Sequence, residues 1–260
     1  MLPEKINELV GEFLSAPVVG DLNVGLTQYS LWLIIAAIVL CIVLFAFMKR
    51  QTLVPKGFFV NGLEYVIQYV EDDVARGVAG TNWKQHTPFL LSIFLFILMN
   101  NLIGLIPGMK PGTGAIGCTA ALAIVAFVYF IYYGIKSRGL FGYLKSLAPE
   151  GVNGPLVILI WLIEVVSTFL RLITLAVRLF CNMFAGHIVM GTFAVMATLF
   201  ISPLAQGVSA MAIGGGVISI AWMVILLLIY AIEMLVSVIQ AYVFTVLTAA
   251  YIEEAEKQAE

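Results

Sequence analysis

The sequence predicts an all-α, polytopic membrane protein: five transmembrane helices plus one interfacial amphipathic helix, the last two transmembrane helices forming a long, strongly tilted hairpin. Three observations predict it. Of 260 residues, 62% are hydrophobic and only 11% charged, and mean hydropathy is +1.06; so few charges cannot cover the surface of a 28.3 kDa globule in water. The apolar residues gather into runs on the scale of the roughly 20 residues a bilayer core requires. Glycine and proline are absent from 156–185 and 217–252.

The first span is 31–48, a charge-free run from Leu31 to Met48 about 27 Å long as a helix. Before it, residues 1–30 carry Glu4, Glu8, Glu12 and Asp21 against Lys5 alone, with no signal-peptide pattern; after it come Lys49, Arg50 and Lys56. The excess of basic residues on the far side places the N-terminal segment outside. Over 57–80, Phe59, Leu63, Val66, Ile67, Val70 and Val74 recur at helical spacing while Asn61, Glu64, Gln68, Glu71 and Asp72 fall mostly elsewhere. This reads as an amphipathic helix on the cytoplasmic interface, or as a helix docked on other spans, which periodicity does not distinguish. The second and third spans, 89–107 and 115–135, are joined by a short loop carrying only Lys110, with Arg76 and Lys84 before the pair and Lys136, Arg138 and Lys145 after it. Their orientation agrees with the first.

The two remaining helices, 155–190 and 217–252, are too long to cross upright. An unbroken helix from Pro155 to Ala185 measures about 47 Å and one from Val217 to Ile252 about 54 Å, against a hydrocarbon core of about 30 Å. The first of them overhangs or tilts by roughly 50°, beyond the usual 0–40° range. Ser202-Pro203 and Gly214-Gly215-Gly216 read as the break between them. No repeat or linker divides the chain, so 1–260 is one membrane domain. Its acidic tail (Glu253, Glu254, Glu256, Glu260) ends on the cytoplasmic side, acids contributing little to orientation.

Several function classes drop out. A net charge of −2 from 13 basic and 15 acidic residues, with no basic run, provides no footprint for nucleic acid. Cys41, Cys118 and Cys181 lie in apolar runs, where they read as small packing residues rather than disulfides or a metal site. No Walker loop, zinc spacing or nucleophile motif is present, so neither a cofactor nor enzymatic chemistry is expected of this chain. His86, in Trp83-Lys84-Gln85-His86-Thr87-Pro88, reads as an interfacial depth anchor.

What remains is a set of charges at membrane depth: Glu164, Arg171, Arg178, His187 and Glu233. Each costs at least about 2.5–3.5 kcal/mol there on insertion scales. Glu164, Arg171 and Arg178 are seven residues apart, so successive members drift only about 20° and share a face, on which Asn182 also falls. His187 lies about 140° from Glu164 by the same arithmetic. Glu233 and Gln240, again seven apart, make a second polar line. One account is a buried ion-pair network, with Glu164 and Arg171 too far apart to pair directly within the helix and each pairing with a neighbour. The other is that these groups line aqueous cavities used by ions. Arg178 stays charged at any relevant pH, so it attracts carboxylates and repels passing cations, which suits a gate. His187 and Glu233 exchange protons.

Three ordered motifs, Asn101-Leu102-Ile103-Gly104-Leu105-Ile106-Pro107-Gly108, Arg178-Leu179-Phe180-Cys181-Asn182-Met183-Phe184-Ala185-Gly186-His187 and Gln240-Ala241-Tyr242-Val243-Phe244-Thr245-Val246-Leu247-Thr248, resemble subunit a of the F-type rotary ATP synthase over most of the chain. The resemblance implies a stator with two offset proton half-channels, with c-ring subunits, b-type peripheral stalk subunits, the rest of the ATP synthase complex and the lipid bilayer as partners. It implies that Arg178 faces the c-ring and meets each ring carboxylate, and that Glu164 belongs to the cytoplasmic half-channel and Asn182, His187, Glu233 and Gln240 to the outer one. Arg171, with Ser167 and Thr174, lines the cytoplasmic funnel or anchors a neighbour. Where relatives carry Asp or Asn before the fourth helix segment, this chain has Gly114-Ala115-Ile116-Gly117 and lacks that acidic or amide group. A bacterial plasma membrane is the expected location, with an organellar inner membrane as the alternative. The alternative function is a stand-alone ion-coupled secondary transporter binding a charged substrate at Arg178 and Glu164; such proteins commonly show related halves and discontinuous helices.

Overall fold

A computed structural model describes residues 17–19, 26–50, 57–80, 82–106, 108–146, 156–206 and 210–257. Most of the N-terminal segment expected outside lies beyond the described residues. Its described part contributes two short strands, β1 (Pro17–Val19) and β2 (Leu26–Thr27), which pair antiparallel ahead of α1 (Gln28–Arg50). There follow α2 (Phe58–Tyr69), α3 (Trp83–Gly104), α4 (Ile116–Arg138), the short α5 (Leu140–Ser146), α6 (Leu156–Gln206) and α7 (Ala210–Lys257). Five of these helices, α1, α3, α4, α6 and α7, are long and apolar enough to cross a membrane.

The helices alternate in direction. His86 and Asn82 at the start of α3 bond Glu256 at the end of α7, and a Cβ on Gly134 near the end of α4 would meet Ala255 at 3.3 Å. One end of the bundle therefore carries the C-terminus of α7 together with Lys84, Lys136 and Arg138. At the other end, Tyr29 and Leu33 of α1 pack on Gly114 and Gly112, in the turn between α3 and α4. The core between the ends is made by Leu90, Ile97, Phe130, Leu175, Leu179, Phe244 and Ile252, all almost fully buried. Apolar residues also cover the outside, among them Ile38, Ile42 and Phe45 of α1, Ile158, Leu162 and Phe169 of α6, and Ile220, Leu227 and Leu228 of α7. A soluble protein does not expose apolar surface on this scale, whereas lipid or partner helices cover it in a membrane.

α2 is continued by a wider π-helical stretch, Val70–Arg76. Val70, Val74, Ala75 and Ala79 are fully buried against the bundle, with Tyr69 against the ring of Tyr242 on α7 at 5.6 Å. This half is docked on other helices of the chain, while Phe58 and Tyr65 point outward, 97% and 70% exposed.

The last two helices are longer than their breakers suggested. α6 runs through Ser202 and Pro203 to Gln206, and α7 starts before the glycine triplet. Within the triplet Gly215 serves contact between the arms: a Cβ there would lie 2.8 Å from the carbonyl oxygen of Phe200, whereas one on Gly214 would meet nothing within 4 Å. Ser219 then donates to the carbonyl of Ala197 at 2.7 Å, tying the arms together. A 51-residue helix is about 77 Å long, so the arm inclines steeply or projects well beyond a core of about 30 Å.

Two other expectations are corrected. His86 is not an anchor at the lipid surface but is fully buried, with its Nε2 3.1 Å from Glu256 and its Nδ1 3.2 Å from the Tyr129 hydroxyl. The neutral tautomer with hydrogen on Nε2 satisfies both contacts, donating to the carboxylate and accepting from the phenol. Among the cysteines, only Cys118 is partly packed; Cys41 and Cys181 are exposed on the bundle surface.

Candidate functional site

The site is built on α6 and α7, whose contact is the most extensive in the molecule. They run antiparallel, with Gly186 beside Glu233 and Arg171 beside Glu254. Interpolating between these two pairs sets Gln240 level with the turn that carries Arg178 and Asn182. The polar line of α7 and the polar stripe of α6 thus meet at one depth.

At the end of the bundle holding the C-terminus, Arg171 Nη2 lies 2.8 Å from Glu254 Oε1 and 3.2 Å from Glu164 Oε1. The direct Glu164–Arg171 contact overturns the expectation that seven residues is too far. The separation along the axis is about 10.5 Å, and two long side chains bridge it once Glu254 draws the guanidinium toward α7. Arg171 also sits over the ring of Tyr251, 5.1 Å from its centroid. Thr168, buried on α6, donates to the carbonyl of Glu164 at 2.9 Å. Ser167 and Thr174 are not drawn into this cluster: the Thr174 hydroxyl donates to the carbonyl of Arg171 at 3.0 Å and is exposed, while Ser167 makes no side-chain hydrogen bond among the described residues.

Toward the opposite end, Glu233 lies directly on Gly186. A Cβ at 186 would be 2.7 Å from Glu233 Oε1, so the close approach of this carboxyl to the α6 backbone depends on glycine. The adjacent His187 turns to a small pocket it lines with Tyr29, Lys110, Pro111, Gly114, Met183 and Phe184. The turn between α3 and α4 thus presents a lysine and close-packed backbone to the histidine. Between the two clusters lie buried polar atoms without a hydrogen-bond partner among the described residues: Asn182 Nδ2, Gln240 Nε2 and Ser237 Oγ. Leaving such a group dry costs about 1–3 kcal/mol, so this part of the interface is suited to water or a titratable partner.

Ser237 escaped the sequence reading although its spacing marks it, four residues after Glu233 and three before Gln240, on one face of α7. Asn101 and Thr113 were also missed as polar residues of the interior. Both are fully buried, with Thr113 donating to Asn101 Oδ1 at 2.8 Å and Asn101 reaching the carbonyl of Ser237 at 3.4 Å. Glu254 read only as part of an acidic tail.

Arg178 stands apart from both clusters. It is exposed, and its guanidinium has no ion pair or hydrogen bond among the described residues. On the same side of α6 Thr174 and Cys181 are also exposed, with apolar Leu170 and Val177 exposed farther round the helix. A cation held outward at membrane depth requires something beyond this chain to meet it.

A family model described as ATP synthase A chain matches residues 30–253. The chain belongs to this family. Relatives named ATP synthase subunit a include one from Brucella canis, 38% identical over 240 residues and 91% of each chain. Another, from Gluconobacter oxydans, is 36% identical over 250 residues, covering 95% of this chain and 96% of its own. A third, from Frankia alni, is 34% identical over 240 residues, covering 90% and 78%. As a member of the ATP synthase A chain family, the chain is a multi-pass membrane component of the proton-transporting F-type ATP synthase and acts as its stator subunit.

Proposed function

We propose that this chain forms the fixed wall along which protons reach and leave the c-ring, through two half-channels that do not join. The observation that carries the reading is the outward Arg178, without an ion pair or hydrogen bond among the described residues, set between two polar clusters displaced to either side of it along the hairpin. The outer half-channel is lined by His187, Glu233, Asn182 and Gln240, and the cytoplasmic one by Glu164 with Arg171. The basic end of the bundle, with the C-terminus, is cytoplasmic and the N-terminus is outside, by the distribution of Lys and Arg. Phe58 and Tyr65 then sit at the cytoplasmic interface, where aromatic rings are favoured.

During synthesis a proton enters from outside, passes Glu233 and His187, and protonates a ring carboxylate that has just left Arg178. The neutral carboxyl rotates through lipid. On returning from the other side it meets the cytoplasmic path, gives up its proton toward Glu164, and pairs as a carboxylate with Arg178. The guanidinium does not deprotonate, so it favours the charged form of the ring carboxyl at this one place and repels protons from the direct route. This chain holds and guides protons, and the ATP chemistry takes place elsewhere in the complex. The partners are the c-ring and the b-type stalk, in a bacterial plasma membrane. A transporter built on broken helices at mid-membrane finds no support, since α6 and α7 are continuous past Arg178 and Glu233.

Two substitutions test the outer path. Glu233→Gln and His187→Ala each remove a group that exchanges protons without touching Arg178. Both are expected to slow ATP synthesis under an imposed proton gradient and to change its dependence on the outer pH, with assembly intact. Parental rates and profiles in both would remove these residues from the path.

A further inference from the structure

We propose that Glu254 is a positioning residue of the cytoplasmic proton path, holding the Arg171 guanidinium so that Glu164 keeps a negative charge available to protons. The proposal rests on the half-channel reading above. It starts from an oddity at the end of α7, where Glu253, Glu254 and Glu256 occupy the last turns of the helix. The carbonyls of a helix C-terminus disfavour anions, so acids there need other reasons to stay.

Glu256 has one. It is held at the start of α3 by His86 at 3.1 Å and Asn82 at 3.3 Å, and this contact helps dock the end of α7 alongside the buried Ile252 and Ala255. Glu254 serves a different cluster. Its carboxylate takes the shorter contact with Arg171 Nη2, 2.8 Å, and Glu164 the longer, 3.2 Å, both on the same nitrogen. Two carboxylates thus share one guanidinium, and the cluster carries one negative charge in excess. Without Glu254, the guanidinium would pair with Glu164 alone in a neutral couple.

Exposure grades in the same order, with the side chain of Glu254 42% exposed, Glu164 32% and Arg171 20%. Glu254 is thus the most accessible of the three and Arg171 the most enclosed. The groups that face the cluster from neighbouring elements are few. They are Phe130 of α4, Tyr143 of α5, Thr168 of α6, and Tyr251 and Ala255 of α7 around a cavity of about 10 Å³, on the scale of one water molecule. Arg138 acts on Tyr143 from the end of α4. Burial pushes the Tyr143 phenol above its ordinary range, so it faces the cluster as a neutral hydroxyl. Counted over Glu164, Arg171 and Glu254 the balance is one negative charge, and the charge of Arg138 is the same in every variant compared.

The test uses inverted membrane vesicles containing the whole ATP synthase, in which the cytoplasmic face is outward. Passive proton conduction is measured after removal of the ATPase head, as a function of external pH, for Glu254→Gln, Glu254→Asp and Glu256→Gln. Glu254→Gln is expected to lower conduction several-fold and to move the alkaline limb of its pH profile to lower pH, because a negative charge that favours proton uptake is gone. Glu254→Asp, which restores the charge, is expected to return the limb toward the parental position. Glu256→Gln is expected to reduce thermal stability and leave the profile in place. A parental profile in Glu254→Gln, or an equal displacement in Glu256→Gln, would overturn the proposal. ATP synthesis by Arg178→Ala in the same membranes separates the two levels: its retention overturns the half-channel reading and this proposal together, whereas its loss beside a parental Glu254→Gln overturns this proposal alone.

Discussion

Replacing Arg178 by alanine is expected to reduce proton-driven ATP synthesis to background while the complex still assembles. The guanidinium makes no hydrogen bond or ion pair among the described residues that its removal would break, so the loss arises at the surface it presents outward. The same variant, stripped of the ATPase head, is expected to keep or increase its passive proton leak, because the fixed charge that separates the two polar clusters is gone. Arg178→Lys is not expected to restore synthesis. An ammonium is compact and can lose its proton in a desolvated site, whereas a guanidinium stays charged and binds a carboxylate through a planar fork. Synthesis at the parental rate in Arg178→Ala would remove the gate from this residue.

Gly186→Val is the second large effect. The Cβ alone would come within 2.7 Å of Glu233 Oε1, and the easiest relief is for the flexible carboxyl to swing away rather than for the helices to part. Folding and assembly should survive, but a proton-transfer group displaced by about an ångström loses on the order of 10²-fold in rate. Gly186→Ala should lose less. Glu233→Asp, one carbon shorter, should recover part of the activity in the Gly186→Ala background and none in the parental one. Assembled Gly186→Val complex with parental synthesis rates would show that the contact between Glu233 and the α6 backbone has no part in proton transfer.

These effects depend on features that were unevenly legible in the sequence. The five spans were plain, because a bilayer demands long apolar runs and the chain has few charges with which to disguise them. The stripe of Glu164, Arg171 and Arg178 followed from helical periodicity alone. The pairing of Arg171 with both Glu164 and Glu254 did not. It depends on the register between two helices whose partners lie 83 residues apart in sequence, and periodicity says nothing about register. His86 was misread for a similar reason. Trp83, Lys84 and His86 have the composition of an interfacial belt, but the C-terminal turn of α7 folds back over the start of α3 and buries the imidazole against Glu256. The glycine triplet near 215 looked like a break because glycine weakens helices in isolation. Here the missing side chain of Gly215 allows the two arms to touch, and packing decides the outcome.

Glu233 and Gly186 illustrate the middle case. Both stand in motifs that the sequence singled out, yet the reason for glycine beside His187 became visible only with α7 laid against α6. Ser237 was within reach, on the same face as Glu233 and Gln240, but serine is common in membrane helices and its spacing alone did not distinguish it.

The central claim is that the surface of α6 around Arg178 faces the carboxylate-bearing helices of the ring. Native Cys181, exposed and nearly one turn from Arg178, reports on that surface, while Cys41, exposed on α1, provides an internal control. With a cysteine introduced beside the ring carboxylate, mild oxidation in the membrane is expected to link Cys181 to the ring subunit and stop ATP synthesis until reductant is added, with no link from Cys41. A link from Cys41 instead, or none from Cys181 at any ring position one turn either side of the carboxylate, would contradict the account.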